Sequence, residues 1–190
     1  MIDKLHKDRH CTLMVRLRHY DDLDTARFVT FSCYRRYRLL VSEKTRTIIL
    51  EEIDALRRKY GFHLLGYVIM PTHVHLVIIP KSSVELGRAI GELKSRSARR
   101  ILNHLRLQNS SVLNKLKIQA GGETRYHLWE KRCYDHNCRS EETVIEKINY
   151  CHMNPVCAGS VADPAEWRWS SYGAYQGMPG GLIEIDTIEL

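Results

Sequence analysis

Hydrophobic positions along the chain switch between the rhythm of strands and the rhythm of helices. Residues 26–34, Ala-Arg-Phe-Val-Thr-Phe-Ser-Cys-Tyr, combine β-branched and aromatic types with partial alternation and predict a strand. Ser42 can cap a helix that starts at Glu43. Ile48, Ile49, Ile53 and Leu56 then recur at helical spacing up to Tyr60, and Gly61 supplies the stop. Residues 62–70 and 73–80 are two apolar runs divided by Pro71-Thr72, and so short a connection predicts a central antiparallel hairpin. A long helix is expected over 84–106. Its apolar stripe is Leu86, Ile90, Leu93, Ile101 and Leu105, and its other faces carry Arg88, Lys94, Arg96, Arg99, Arg100 and Arg106. Residues 108–124 contain Asn-Ser-Ser and Ala-Gly-Gly without a period, which reads as a flexible loop or insertion. A strand through 128–139 follows. Ser140-Glu141-Glu142 then opens a helix buried along Val144, Ile145 and Ile148. Pro155 is expected to limit its end, because the residue before a proline is disfavoured in α geometry.

Strand, helix, hairpin, helix, strand, helix is the pattern of an α+β sandwich, with helices packed on an antiparallel sheet. One domain is expected over 1–190, with a core at about 25–159 and a C-terminal extension over 160–190 that wraps it. The first dozen residues, polar and of mixed charge, read as a loosely held lead-in. No apolar run approaches eighteen residues and no signal peptide opens the chain, so a cytoplasmic protein with reduced thiols and no membrane segment is expected. The six cysteines form no two-residue-spaced pair. A structural zinc on Cys133, Cys138 and a nearby His is the weaker option. Lys and Arg outnumber Asp and Glu by 29 to 22, a net charge of +7, which turns attention to a polyanionic partner.

Candidate chemistry starts in the hairpin. On a strand, positions i and i+2 share a face, so His73 and His75 present two imidazoles side by side while Val74 and Leu76 point away. A hydrogen-bonded core position is the commoner fate of a His-x-His, but this one opens an apolar strand just after a Met-Pro-Thr turn, where polar side chains can reach a cleft. Two histidines leave coordination positions empty, as a catalytic metal requires. Asn154 offers a hard amide oxygen suited to magnesium or manganese, and it lies four residues after Tyr150, so a helix would stack the two on one face. A phenol is a poor nucleophile near neutrality unless its target phosphate is polarised. With ten tyrosines in the chain, ordinary packing is the usual reading of any one of them.

The string Gly66-Tyr67-Val68-Ile69-Met70-Pro71-Thr72-His73-Val74-His75-Leu76-Val77 resembles the histidine-hydrophobe-histidine motif of the HUH superfamily of single-strand DNA endonucleases, and more narrowly the single-tyrosine transposases. Tyr150-Cys151-His152-Met153-Asn154-Pro155-Val156-Cys157-Ala158-Gly159, followed by Glu166-Trp167-Arg168-Trp169-Ser170-Ser171-Tyr172, is similar to the REP-associated tyrosine transposase branch. The resemblance spans about residues 25–175. It implies a ferredoxin-like or RRM-like HUH fold, a divalent metal (Mg2+ or Mn2+) on His73 and His75, and Tyr150 as nucleophile. Asn154 takes the place of the third ligand, glutamine in many insertion-sequence relatives. The stretch Trp129-Glu130-Lys131-Arg132-Cys133-Tyr134-Asp135-His136 is also similar to the family's approach to the tyrosine helix, and makes His136 a candidate contact to DNA or to the site.

The activity so implied is cleavage and rejoining of single-stranded or hairpin DNA through a 5′-phosphotyrosine, by a protein expected to be a monomer. Arg88, Lys94, Arg96, Arg99 and Arg100 would track the DNA backbone. Trp129 and Trp167 could stack bases, although packing is the more ordinary role for both. Two rivals stand beside this reading. One is a domesticated DNA- or RNA-hairpin-binding protein on the same fold with little cleavage; the other is a zinc hydrolase using the two histidines, a carboxylate and water.

Overall fold

A computed structural model of the chain describes residues 25–81, 83–179 and 181–186, so the expected lead-in lies outside the described residues. Strand β1 is Ala26–Ser32, followed by a 3-10 turn at Tyr34–Arg36 and helix α1, Glu43–Tyr60. The hairpin is β2, His63–Ile69, and β3, His73–Ile79; the long helix α2 covers Ser83–Leu107. Next come α3, Val112–Leu116, β4, Lys117–Ala120, and β5, Glu123–Tyr126. Strand β6, Tyr134–Cys138, helix α4, Glu141–Cys157, a 3-10 turn at Pro164–Glu166 and the short α5, Tyr172–Tyr175, complete the order. The caps lie where the sequence put them. Ser42 Oγ accepts from Thr45 N at 3.2 Å, Gly61 takes φ 65°, and Ser140 Oγ accepts from Thr143 N at 3.3 Å.

Four strands make one antiparallel sheet in the order β2-β3-β1-β6. Alternation along the strands gives it two apolar faces. Val29, Phe31, Val74, Leu76 and Ile78 meet Ile49, Ile53 and Leu56 of α1 and Leu86, Ile90 and Leu93 of α2. On the opposite face Phe28, Val68 and Val77 meet Val144, Ile148 and Cys151 of α4. One sheet between two helical layers is an α+β sandwich, as expected from the sequence.

Three local expectations are corrected. Residues 108–124 are not a loop: α3 and the β4-β5 hairpin fill them, with Gly121 and Gly122 at φ 60° and 80°. Positive φ at both central residues is what a two-residue hairpin turn needs, and the polar strands on either side hid it from an apolar-periodicity reading. The strand expected over 128–139 is interrupted. Trp129 bridges Cys33, and regular pairing with β1 begins only at Tyr134. Finally, α4 runs through Pro155. The proline forfeits one N–H, but Ser160 N donates to Pro155 O at 2.8 Å and Gly159 N to Val156 O at 2.9 Å, with Gly159 at φ 65°. That paired closure around a left-handed glycine terminates the helix, and Pro155 does not.

The C-terminal extension returns along the outer edge of β2. Ile69 N donates to Trp169 O at 2.9 Å and Ser171 N to Tyr67 O at 3.0 Å. Asp186 is then held by Arg57, 2.8 Å away, and by the backbone N–H of Leu64 at 2.7 Å.

Candidate active site

His73 and His75 open β3 and project from the face that α4 covers. Their register partners on β1 are Ser32 and Thr30. The two rings lie 4.6 Å apart, and His75 is 4 % exposed. Each Nδ1 meets a threonine hydroxyl, Thr30 Oγ1 at 2.7 Å for His75 and Thr72 Oγ1 at 2.9 Å for His73. Phe28 stacks on His75 with centroids 5.1 Å apart, fixing the ring plane.

Burial is the main reason both imidazoles resist protonation, with His73 brought down to about 4 and His75 to about 3. For His75 the neighbouring His73 adds to the effect, and the Arg36 guanidinium opposes a proton on either ring. Both are therefore neutral at pH 7, the form that can ligate a metal.

Asn154 of α4 closes the group. Its Nδ2 lies 3.3 Å from His75 Nε2, and the same amide hydrogen-bonds His73. An amide N–H aimed at Nε2 fits a tautomer in which Nδ1–H donates to Thr30 and Nε2 keeps its lone pair. A half-turn of the amide would present Oδ1 between the two rings. Two imidazole nitrogens oriented by hydroxyls, with an amide oxygen in reach, fit a divalent cation that keeps open positions. Among the described residues no three His, Cys, Asp or Glu side chains gather to hold a metal, so neither the cysteine-zinc option nor the carboxylate of the hydrolase rival finds its ligands there.

Tyr150 stands one turn before Asn154 on α4. Its ring is 5.2 Å from that of His75 and 5.7 Å from that of Phe28, and the residue is 49 % exposed. Two features hold this stretch of helix. Gly66 of β2 lets Ile148 approach so closely that a Cβ there would meet Ile148 Cγ1 at 3.3 Å. His152, on the buried side, pairs through Nε2 with Ser171 Oγ at 2.9 Å.

The basic residues of α2 lie on the other side of the sheet from the histidines. Arg96 and Arg100 bracket the buried Glu52 of α1, Arg96 Nε 2.5 Å from Oε2 and Arg100 NH1 2.8 Å from Oε1; Glu51 also pairs with Arg100 and Glu92 with Arg96. Lys94 Nζ donates to the carbonyls of Glu130 and Lys131 at 2.8 and 3.0 Å. Arg88 and Arg99 are exposed. His136 of β6 lies on the histidine face, opposite Phe28. Both tryptophans pack: Trp129 is buried with Nε1 on Ser97 Oγ at 3.1 Å, and Trp167 donates to Ile69 O at 3.3 Å under the Arg46 guanidinium. Thr30, Phe28, Arg36 and Tyr134 also border the site without having been singled out by the sequence. The alternation that exposed His73 and His75 extends to Phe28 and Thr30, but only the β1-β3 register reveals the match.

Two imidazoles on a central strand, an amide over them and a phenol one turn away, on a helix-backed antiparallel sheet, form the arrangement of the single-tyrosine HUH class. The chain belongs to the IS200-like transposase family, whose model matches residues 24–119 and so includes both histidines. That is a family of enzymes acting on DNA. A Haemophilus influenzae protein assigned as a REP-associated tyrosine transposase is 23 % identical over 144 residues, covering 72 % of this chain and 77 % of the relative. The REP-associated tyrosine transposase of Escherichia coli is 21 % identical over 153 residues, covering 80 % and 77 %. A solved REP-associated tyrosine transposase bound to a REP hairpin shares the fold, with a TM-score of 0.60 at 18 % identity over 93 % of this chain and 98 % of that one.

Proposed function

We propose that this protein cuts and rejoins single-stranded DNA beside a hairpin, using Tyr150 as nucleophile. The observation that carries the reading is the convergence of Tyr150, His73, His75 and Asn154 on one rim, with Tyr150 half exposed and its ring 5.2 Å from His75. Tyr150 Oη would lose its proton and form a bond to phosphorus as the bond to the 3′ oxygen breaks in line, leaving a 5′-phosphotyrosine and a free 3′-OH once that oxygen takes up a proton. In the reverse sense an incoming 3′-OH breaks the phosphorus–tyrosine bond and returns the phenol, so the backbone is resealed without a nucleotide cofactor. Mg2+ or Mn2+ held by His73, His75 and Asn154 would supply Lewis-acid polarisation of the phosphate. The chain's own part is to fix that pocket through Thr30 and Thr72, to set the attacking phenol at its edge, and to add the Arg36 charge beside it.

Hairpin DNA as the partner is carried over from the solved relative, which is bound to a REP hairpin. Arg88 and Arg99 on α2 and His136 on β6 are the side chains we assign to DNA contact. Among the described residues no helix is long and apolar enough to cross a membrane, and we place the protein as a cytoplasmic monomer acting as one unit.

The test is incubation with labelled single strands bearing a hairpin, with Mg2+ or Mn2+, followed by denaturing electrophoresis. Wild type forms a metal-dependent covalent adduct, and Tyr150→Phe and His75→Ala do not. An adduct of equal yield from Tyr150→Phe rejects the mechanism; hairpin binding without any adduct favours the domesticated binder instead.

A further inference from the structure

At the edge of the site, β6 carries two rings that lie outside the buried core cluster of this sheet face. Tyr134 and His136, two residues apart, stand on the same face as the metal pocket, opposite Thr30 and Phe28 of β1. Their rings are parallel within 2° with centroids 6.3 Å apart, and Tyr134 is 59 % exposed. The pair sits toward the long end of the range for aromatic contacts, about 4.5 to 7 Å. A planar base inserted between two rings needs about twice a van der Waals contact, roughly 7 Å. The centroid separation is near the i, i+2 spacing of a strand, roughly 6.6 Å, so a rotation of the exposed Tyr134 side chain would open the pair to admit a base.

Phe28 ties this pair to the reaction site. Its ring touches His75 in a stack at 5.1 Å, Tyr150 edge-on at 5.7 Å and Tyr134 edge-on at 6.4 Å. Lys147 Nζ stands 5.9 Å from the same ring and is paired with Glu146 at 2.8 Å. β6 is the last strand of its sheet among the described residues. Its one acidic residue, Asp135, points to the opposite face and is neutralised by Arg27 at 2.6 Å. Lys131, Arg132 and Arg139 flank the strand, exposed and without a carboxylate partner among the described residues. The slot is thus bordered by aromatic rings and by exposed cationic side chains, as a nucleic-acid strand requires.

We propose that Tyr134 and His136 form a slot for one unpaired nucleobase of the strand whose phosphate Tyr150 attacks, with Phe28 linking slot and pocket. The inference rests on the DNA-cleaving reading above and adds to it how the nucleotide next to the break is held. Stacking is indifferent to base identity, so the slot positions the strand while sequence is read elsewhere.

The experiment uses the full chain carrying Tyr150→Phe, which binds without cutting. Its ligand is a hairpin with a single-stranded flank in which 2-aminopurine is moved base by base, with affinity followed by anisotropy. One flank position is expected to lose fluorescence on binding. Added Tyr134→Ala removes that quenching and weakens affinity about five- to a hundredfold, whereas Tyr134→Phe keeps both. Binding with no quenched position, or quenching unchanged in Tyr134→Ala, overturns the slot. Quenching at one position from a protein whose wild type forms no covalent adduct sinks the catalytic reading and leaves the slot standing. Absence of any hairpin binding sinks both.

Discussion

Thr30 shows how much of the pocket depends on a residue outside the group formed by His73, His75, Asn154 and Tyr150. Its hydroxyl, 2.7 Å from His75 Nδ1, can accept from that nitrogen in the tautomer that leaves Nε2 a lone pair, the one that the Asn154 Nδ2 at 3.3 Å from Nε2 favours. Thr30→Val keeps the shape of the side chain and removes the acceptor, so Nδ1–H is left buried and unpaired. Divalent-metal affinity is expected to fall about 10- to 100-fold, read by titration with Mn2+, with the fold intact by circular dichroism. Unchanged affinity would mean that Phe28 alone orients the ring. The two histidines were legible because strand alternation is local: His73 and His75 are two apart. Thr30 was not, since it meets His75 across 45 residues of sequence and only the β1-β3 register brings them opposite. Tyr134 escaped for the same reason, being one of ten tyrosines until its partner across β1 is known.

At the level of elements, the site is where one helix meets one strand, and the distance between them is set by a glycine. Gly66 lets Ile148 of α4 lie against β2, and a Cβ there would meet Ile148 Cγ1 at 3.3 Å and Ser171 Oγ at 3.5 Å. Ile148 can yield only by shifting the helix, since it is fully buried. Gly66→Ala is expected to cost about 1 kcal/mol in thermal unfolding, at the low end for overpacking because the shift needed is a few tenths of an ångström. Adduct formation should suffer more, tenfold or greater below the melting range, because Tyr150 and Asn154 ride on the displaced helix. A loss of activity no larger than the loss of stability would argue against α4 as the element that sets the geometry. The caps of α1 and α4 could be read from Ser42, Gly61 and Ser140, since capping is a matter of adjacent residues. The true end of α4 could not be read from Pro155, because the Gly159 closure competes with the proline and wins.

Across the whole molecule, the distribution of charge matters more than its sum. A net charge of +7 and a basic helix suggested that α2 tracks a DNA backbone. Folding commits part of that helix to its neighbour. Glu52 is 2 % exposed and takes Arg96 and Arg100 as partners, which joins α1 to α2 on the sheet face away from His73 and His75. Nothing in the pattern of α2 foretold this, since the glutamates lie more than forty residues upstream. Two classes of arginine and lysine should therefore separate by experiment. The double variant Arg96→Ala/Arg100→Ala leaves a buried carboxylate unpaired. It is expected to lose about 2 kcal/mol, less than a fully buried pair because both guanidinium groups reach water. Its salt dependence of hairpin binding, measured below the melting range, should match wild type, because those charges release no counterions on binding. Lys131→Ala/Arg132→Ala, beside the proposed slot, should keep wild-type stability and flatten the log–log salt slope by about 1.4, at roughly 0.7 per single-strand phosphate contact. A flattened slope in the first variant would mean that bound DNA displaces the glutamates and recruits both arginines, making the α1-α2 clasp a reserve of binding charge; an unchanged slope in the second would move the strand's path away from β6.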